Sequence, residues 1–267
     1  MAIGVSIGIQ SFSFSLPAPF ASVILWNTPN EDTATTTTTT VIRENIHLPI
    51  VVYHSVRPHT TREPASQEQF DITPNLLRKH LEYVKQEGFT TISFKTLADY
   101  FDNGAPLPTK PIILSFDDSW QNQYVYAFPL LREYSVTGTF FVFTNSLNRK
   151  NHLTWDETRE IQRAGMEIGS HTKFHPYLDN ITDPTELEKE IAGSKTILEE
   201  SIGVPITTFA YPFGEHGTTT VEEVKRAGYR TARSLRGGNM QSEKERFTLR
   251  AFLATDDIEE FKRMIEK

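Results

Sequence analysis

The sequence predicts an α/β protein, an irregular (β/α) barrel around a parallel sheet. Short apolar runs rich in β-branched and aromatic residues alternate with stretches of helical period along most of the chain. Seven or eight such runs are present, and strands alternating with helices form parallel sheets. No repeat of fixed period is visible. An open doubly wound sheet is the rival arrangement. In both, chemistry gathers at the C-terminal ends of the strands.

The elements follow in order. "LPIVVYHSV" reads as a buried strand. "TPNLLRKHLEYVKQEG" reads as a helix, with Thr73 as N-cap, Pro74 in the first turn and Gly88 past the end. "FTTISF" is a strand, "KTLADYFDNG" a short helix closed by Gly104, and "KPIILSF" a strand. "QYVYAFPLLREY" is helical with a kink expected at Pro129. "GTFFVFT" is a strand, and "LTWDETREIQRAG" opens a helix with Thr154 and Glu157 at capping-box spacing. "MEIGSH" is a strand, and "DPTELEKEIAGSKTILEESIG" a long helix. "ITTFAYP", "TTTVEEVKRAG", "YRTARSL", "RFTLRAFL" and "TDDIEEFKRMIEK" continue the alternation.

The N-terminal part does not share this pattern. Residues 1–30 form an apolar leader without a charged side chain, interrupted by Pro17 and Pro19. It lacks the basic start of a secretory signal and the roughly 20 unbroken apolar residues of a spanning helix. We treat it as a leader and a candidate for membrane-surface contact. The Thr tract that follows has no core-forming side chains, so 31–46 reads as a Thr-rich linker. The catalytic domain is expected over 47–267.

Composition narrows the function. The formal net charge is −7 and no long basic run occurs, which argues against nucleic acid as a partner. The chain has no cysteine, so thiolate nucleophiles, disulfides and cysteine-ligated zinc are excluded.

The strand ends carry the chemistry. The first strand ends at Tyr53 and His54, the third at Asp117 and Asp118, the fifth at His171, with His175 four residues on. The sixth ends at Tyr211, Pro212 and Phe213. Each has an ordinary explanation alone: a helix cap, a surface pair, a core histidine. Their placement on one rim favours a site. Two imidazoles and one carboxylate make a three-ligand set with open positions, as in catalytic zinc sites. Nitrogen and oxygen ligands also admit cobalt, nickel, iron or manganese. Only one aspartate is needed as a ligand, and its neighbour is then placed as a general base.

At these residues the chain resembles the polysaccharide deacetylases, carbohydrate esterase family 4 with its NodB-homology domain. "SFDDS" is similar to the family's first motif and "SHTKFHP" to its second, histidine-containing motif. "LPIVVYHSV" and "FAYPFG" resemble most the branch that removes N-acetyl groups from biofilm poly-β-1,6-N-acetylglucosamine. The resemblance runs from about residue 48 to the end. It implies a distorted (β/α) barrel of about seven strands and one divalent ion, zinc before cobalt, nickel or iron. It implies Asp117 as base, with Asp118, His171 and His175 as ligands and His54 as general acid. The substrate would be an N-acetylated polysaccharide, the protein a monomer, its location extracellular or at the cell surface. Tyr211, Phe213 and Trp155 are candidate substrate-binding residues, with Tyr177 a further ring for sugar stacking. Trp155 is equally a candidate core residue at its helix start.

Two departures stand out. Ser119 occupies the place of the usual glycine, and Ala210 that of an arginine that orients the base in many members. Another group must then orient Asp117, and Arg233 and Arg250 are the candidates. The later motifs of the peptidoglycan and chitin deacetylases are not evident, which lowers the expectation of those substrates. Peptidoglycan or chitin-oligomer deacetylation, acetyl-xylan esterase activity and a non-catalytic carbohydrate-binding barrel are the alternatives. A binding module would need no base beside a metal.

Overall fold

A computed structural model describes residues 45–59 and 70–266. The leader and nearly all of the linker lie outside them. The fold opens with β1 (Ile46–His47), so Ile46 already belongs to the strand layer. Then come β2 (Ile50–Tyr53), β3 (Ser55–Val56), β4 (Asp71–Ile72), α1 (Pro74–Gln86), β5 (Thr90–Thr91), α2 (Phe94–Asn103) and β6 (Pro111–Phe116). The middle holds α3 (Phe128–Glu133), β7 (Thr139–Val142), α4 (Trp155–Arg163), β8 (Glu167–Ser170) and α5 (Pro184–Ile202). The chain ends with β9 (Thr208–Ala210), α6 (Thr218–Arg226), β10 (Thr231–Arg233), β11 (Met240–Gln241), β12 (Phe252–Leu253) and α7 (Ile258–Glu266).

The caps form where the sequence places them. Thr73 accepts from the Leu76 N–H, and Thr154 and Glu157 close a reciprocal capping box. Gly104 ends α2 at φ 72°, a left-handed conformation open to glycine at little cost. Pro129 does not kink one long helix. Its missing N–H falls at the start of α3, directly after a π-helical turn over Gln123–Ala127.

The main sheet is parallel, in the order β10-β9-β8-β7-β6-β2-β12, with β5 added beside β6. One C-terminal segment touches both edges: Leu249 bridges to Arg233 of β10, and Phe252 pairs with Val51 of β2. The sheet therefore curls into an irregular barrel, and the open doubly wound alternative is set aside. Both faces are buried. Val51, Leu114, Phe116, Phe140 and Phe209 pack under the helices. The intervening residues Ile50, Val52, Ile113, Phe141 and Ala210 form a second core with Phe94, Leu97 and Phe101 from α2. This period of two with both faces apolar is the mark of a parallel sheet. It brings the strand ends that follow Tyr53, Phe116, Ser170 and Ala210 to one rim. Among the described residues, no helix is long and apolar enough to cross a membrane.

Candidate metal centre and catalytic cleft

The site is built on the ends of β2, β6, β8 and β10. The β6 strand is buried throughout, and its next residue, Asp117, donates its N–H to Tyr53 O at 2.9 Å. Asp117 is thus still tied to the sheet, and its side chain is buried. The chain then turns sharply, with Asp118 at φ 72° and Ser119 at φ 58°. The second of these explains the departure from glycine. Ser119 takes the left-handed conformation, and its Oγ accepts from the Phe143 N–H at 3.2 Å. Among the described residues, five of the eight non-glycine residues at positive φ sit at this rim: Asp118, Ser119, Thr172, His175 and Phe213. Left-handed backbone costs such residues roughly 1–3 kcal/mol each, and its clustering marks a functional site.

His171 and His175 reach the same point from β8. The His171 N–H continues the sheet to Val142 O, and its ring Nδ1 lies 2.7 Å from Ala210 O. That carbonyl can only accept, so Nδ1 carries a proton and Nε2 is the nitrogen available to a metal. His175 follows a tight turn in which its N–H donates to Thr172 Oγ1 at 2.9 Å. Glu190, buried on α5, holds this turn by accepting from the N–H groups of Lys173 and Phe174 at 3.0 and 2.9 Å.

The three expected ligands converge. His171 Nε2 and His175 Nε2 are 3.2 Å apart, and they stand 3.5 and 3.2 Å from Asp118 Oδ1. A tetrahedral ion with bonds of about 2.0–2.1 Å has ligand–ligand edges of roughly 3.3 Å. Asp118 Oδ1 is buried without a hydrogen-bond partner, a donor atom left for something else. The residues therefore fit a single divalent ion. Burial alone would raise the Asp118 carboxyl, but the His171 and His175 rings outweigh it and hold it well below the usual carboxylate range.

Asp117 does not join this set. Its Oδ2 is ion-paired with Arg233, whose side chain is wholly buried. Asp117 thus has the guanidinium as its counter-charge, and Asp118 would have the ion that its ligand set fits. Of the two candidates for orienting Asp117, Arg233 reaches it, whereas Arg250 pairs with Glu245 at 3.3 Å. His54 sits at the break between β2 and β3, with Nε2 4.0 Å from Oδ2 of both Asp117 and Asp118. Burial lowers its pKa, while the Asp117 and Asp118 carboxylates act in the opposite direction.

These groups line a cleft of about 1010 Å³ whose walls include Phe70, Trp120, Val125, Phe213, Leu235 and Leu253. Phe213 is 44% exposed and stacks on the 51% exposed Tyr177, with ring centroids 3.8 Å apart. Two expected substrate contacts fall elsewhere. The Tyr211 side chain is buried and donates its hydroxyl to Phe247 O, because it continues the alternation of β9 toward the helix-covered face with Phe209. Trp155 is half-buried against the core at the start of α4 and does not line the cleft. Trp120, two residues past the aspartate pair, is the tryptophan that does.

Supporting residues escaped sequence reasoning. Buried Gln123 donates Nε2 to the backbone carbonyls of both His54 and Asp117, clamping two strand ends together. Glu190 does the same for the histidine turn. Neither lies in a readable motif.

Residues 104–232 match the polysaccharide deacetylase family. The poly-β-1,6-N-acetyl-D-glucosamine N-deacetylase of Escherichia coli K12 is 23% identical over 214 residues, 64% of this chain and 32% of that protein. The enzyme of the same name from Staphylococcus aureus is 23% identical over 217 residues, 76% of this chain and 71% of that one. The chain thus spans about a third of the E. coli relative's length. Among solved structures, the Streptococcus pyogenes deacetylase PplD in complex with acetate superposes with a TM-score of 0.78 at 24% identity, covering 84% of this chain and 100% of that one. That likeness establishes the shared fold. Residues 104–232, a little under half of the chain, thus resemble a polysaccharide deacetylase domain.

Proposed function

We propose that this protein removes N-acetyl groups from an N-acetylglucosamine polysaccharide, most directly poly-β-1,6-N-acetylglucosamine, with the help of one divalent ion. The observation that carries the reading is the pairing of an Asp118–His171–His175 ligand set with a separate carboxylate, Asp117, on the same rim. The E. coli and S. aureus relatives, named for that substrate, favour it over other N-acetylated glycans. With a polymeric glycan as substrate, the location we propose is extracellular or at the cell surface.

Asp118, His171 and His175 would hold a divalent ion, zinc first and cobalt, nickel or iron next, which would supply Lewis acidity when bound. Asp117 takes the proton of the attacking water. The oxyanion then needs a donor. The Tyr211 N–H is committed to Arg233 O, Pro212 has none, and those of Gly214 and Glu215 donate to backbone carbonyls. The Phe213 N–H is the group of that turn left for the developing charge. His54 protonates the departing sugar nitrogen, and the Phe213–Tyr177 stack offers a platform for a sugar ring.

Acetate release from poly-β-1,6-N-acetylglucosamine, chitin oligomers, peptidoglycan and acetyl-xylan tests the assignment. The first is expected to be turned over best. Release from acetyl-xylan alone would replace the amide reading with an ester one.

The acid role has its own test. His54→Ala is expected to retain the ion and to lose roughly 10²–10⁴-fold in kcat on the amide. The loss should shrink on an activated acetyl ester, whose leaving group needs no proton. Equal losses on both substrates would make His54 structural.

A further inference from the structure

Among the described residues, Arg233 is the one large charged side chain that the fold buries completely at this site. Its guanidinium lies over the Phe141 ring, 5.0 Å from the centroid, and donates Nη2 to Asp117 Oδ2. Nε and Nη1 are buried without a hydrogen-bond partner. A buried cation so incompletely satisfied costs stability, and an apolar side chain of similar volume would fill the space at less expense. Packing alone therefore does not account for it.

Its position in the sheet does. In the parallel pairing of β9 and β10, Arg233 stands directly opposite Ala210. Paired residues of neighbouring strands point to the same face. Ala210 ends in a methyl group that cannot reach Asp117. The small side chain leaves open the space that the neighbouring guanidinium crosses. We propose that Arg233 is the positioning residue for the Asp117 base, supplied from β10 across the space that Ala210 leaves on β9. The inference rests on the deacetylase reading and adds to it the group that fixes the base. Arg233 holds the carboxylate through Oδ2, while Oδ1 remains without a partner. A planar guanidinium fixes the rotation of a carboxylate in a way a lysine ammonium does not.

The test is an exchange between neighbouring strands, read as acetate release from whichever acetylated glycan the wild type turns over best. The deacetylase reading is judged on the wild type, and the Arg233 reading on the ratio of variant to wild type. Arg233→Met is expected to lose about 10²-fold in kcat, the scale of a misplaced catalytic group, with KM and metal content unchanged. Arg233→Lys should be intermediate, since it keeps the charge without the planar fork. Arg233→Ala combined with Ala210→Arg returns a guanidinium to the same face at nearly constant volume, and should recover at least tenfold of the loss. Arg250→Met, which lies outside this pair, should match wild type. Activity of Arg233→Met within about threefold of wild type would overturn the proposal. So would a folded, metal-bearing double variant no better than Arg233→Met, or a loss carried by KM or by metal content. If Arg233→Met does not fold, the lysine and exchange variants decide in the same way.

Discussion

Asp117→Asn is expected to lower kcat for acetate release by roughly 10²–10⁴-fold while the protein still holds about one divalent ion per chain. The substitution changes one atom and almost no volume, so the buried position stays filled. What it removes is the ability to accept a proton from water. The ion should remain because its candidate ligands are Asp118, His171 and His175, whose three donor atoms lie within 4.8 Å of one another without Asp117. Some stability should be lost, because buried Arg233 would then face a neutral amide in place of its counter-ion. Metal content by mass spectrometry and acetate release on the same sample check the prediction. A variant that loses its metal but keeps its activity in added zinc would reverse the roles of the two aspartates.

Asp118→Ala should have the larger effect, abolishing measurable acetate release and metal binding together. A site of two imidazoles and one carboxylate loses its only anionic ligand, and the remaining pair of neutral rings binds a divalent ion far more weakly. The wild-type fold gains stability from whatever binds it selectively, so zinc should raise the wild-type Tm. The Tm of Asp118→Ala should not respond. The carboxylate sits at φ 72°, so removing it also leaves a strained turn without its function. Thermal melts with and without zinc, beside metal analysis, separate lost binding from lost folding. A zinc-dependent rise in the Tm of Asp118→Ala equal to that of wild type would place the ion elsewhere.

Much of this site was legible in the sequence, for identifiable reasons. A parallel strand runs apolar until its end, so "PIILSF" announces where Asp117 must emerge. His175 follows His171 by four positions, and a single tight turn can bring both rings to one point. The resemblance to the deacetylase motifs then gave each residue a role. Contacts between distant strands were another matter. Arg233 lies 116 residues from Asp117 and meets it only because the sheet curls. Gln123 serves the site through backbone carbonyls, which any residue offers, so no pattern betrays it.

The substrate contacts were the weakest reading, and the reason is local geometry. Tyr211 and Phe213 look alike in "FAYPFG", yet the first keeps the strand's period of two and turns into the core. The second sits at φ 59° in a 3₁₀ turn and is thrown outward. Trp155 and Trp120 divide similarly. A tryptophan at a helix start can face core or solvent, and here the core took it. Trp120 reached the cleft by following the left-handed turn at Asp118 and Ser119.

If one ion held by Asp118, His171 and His175 enables Asp117 and His54 to hydrolyse an acetamide, activity must follow that ion. Chelated protein titrated with zinc, with acetate release from poly-β-1,6-N-acetylglucosamine followed at each addition, tests it most directly. Activity is expected to be absent at the start and to rise to a plateau at about one equivalent per chain. Full activity in the chelated, metal-free protein would mean that hydrolysis does not depend on an ion at this site.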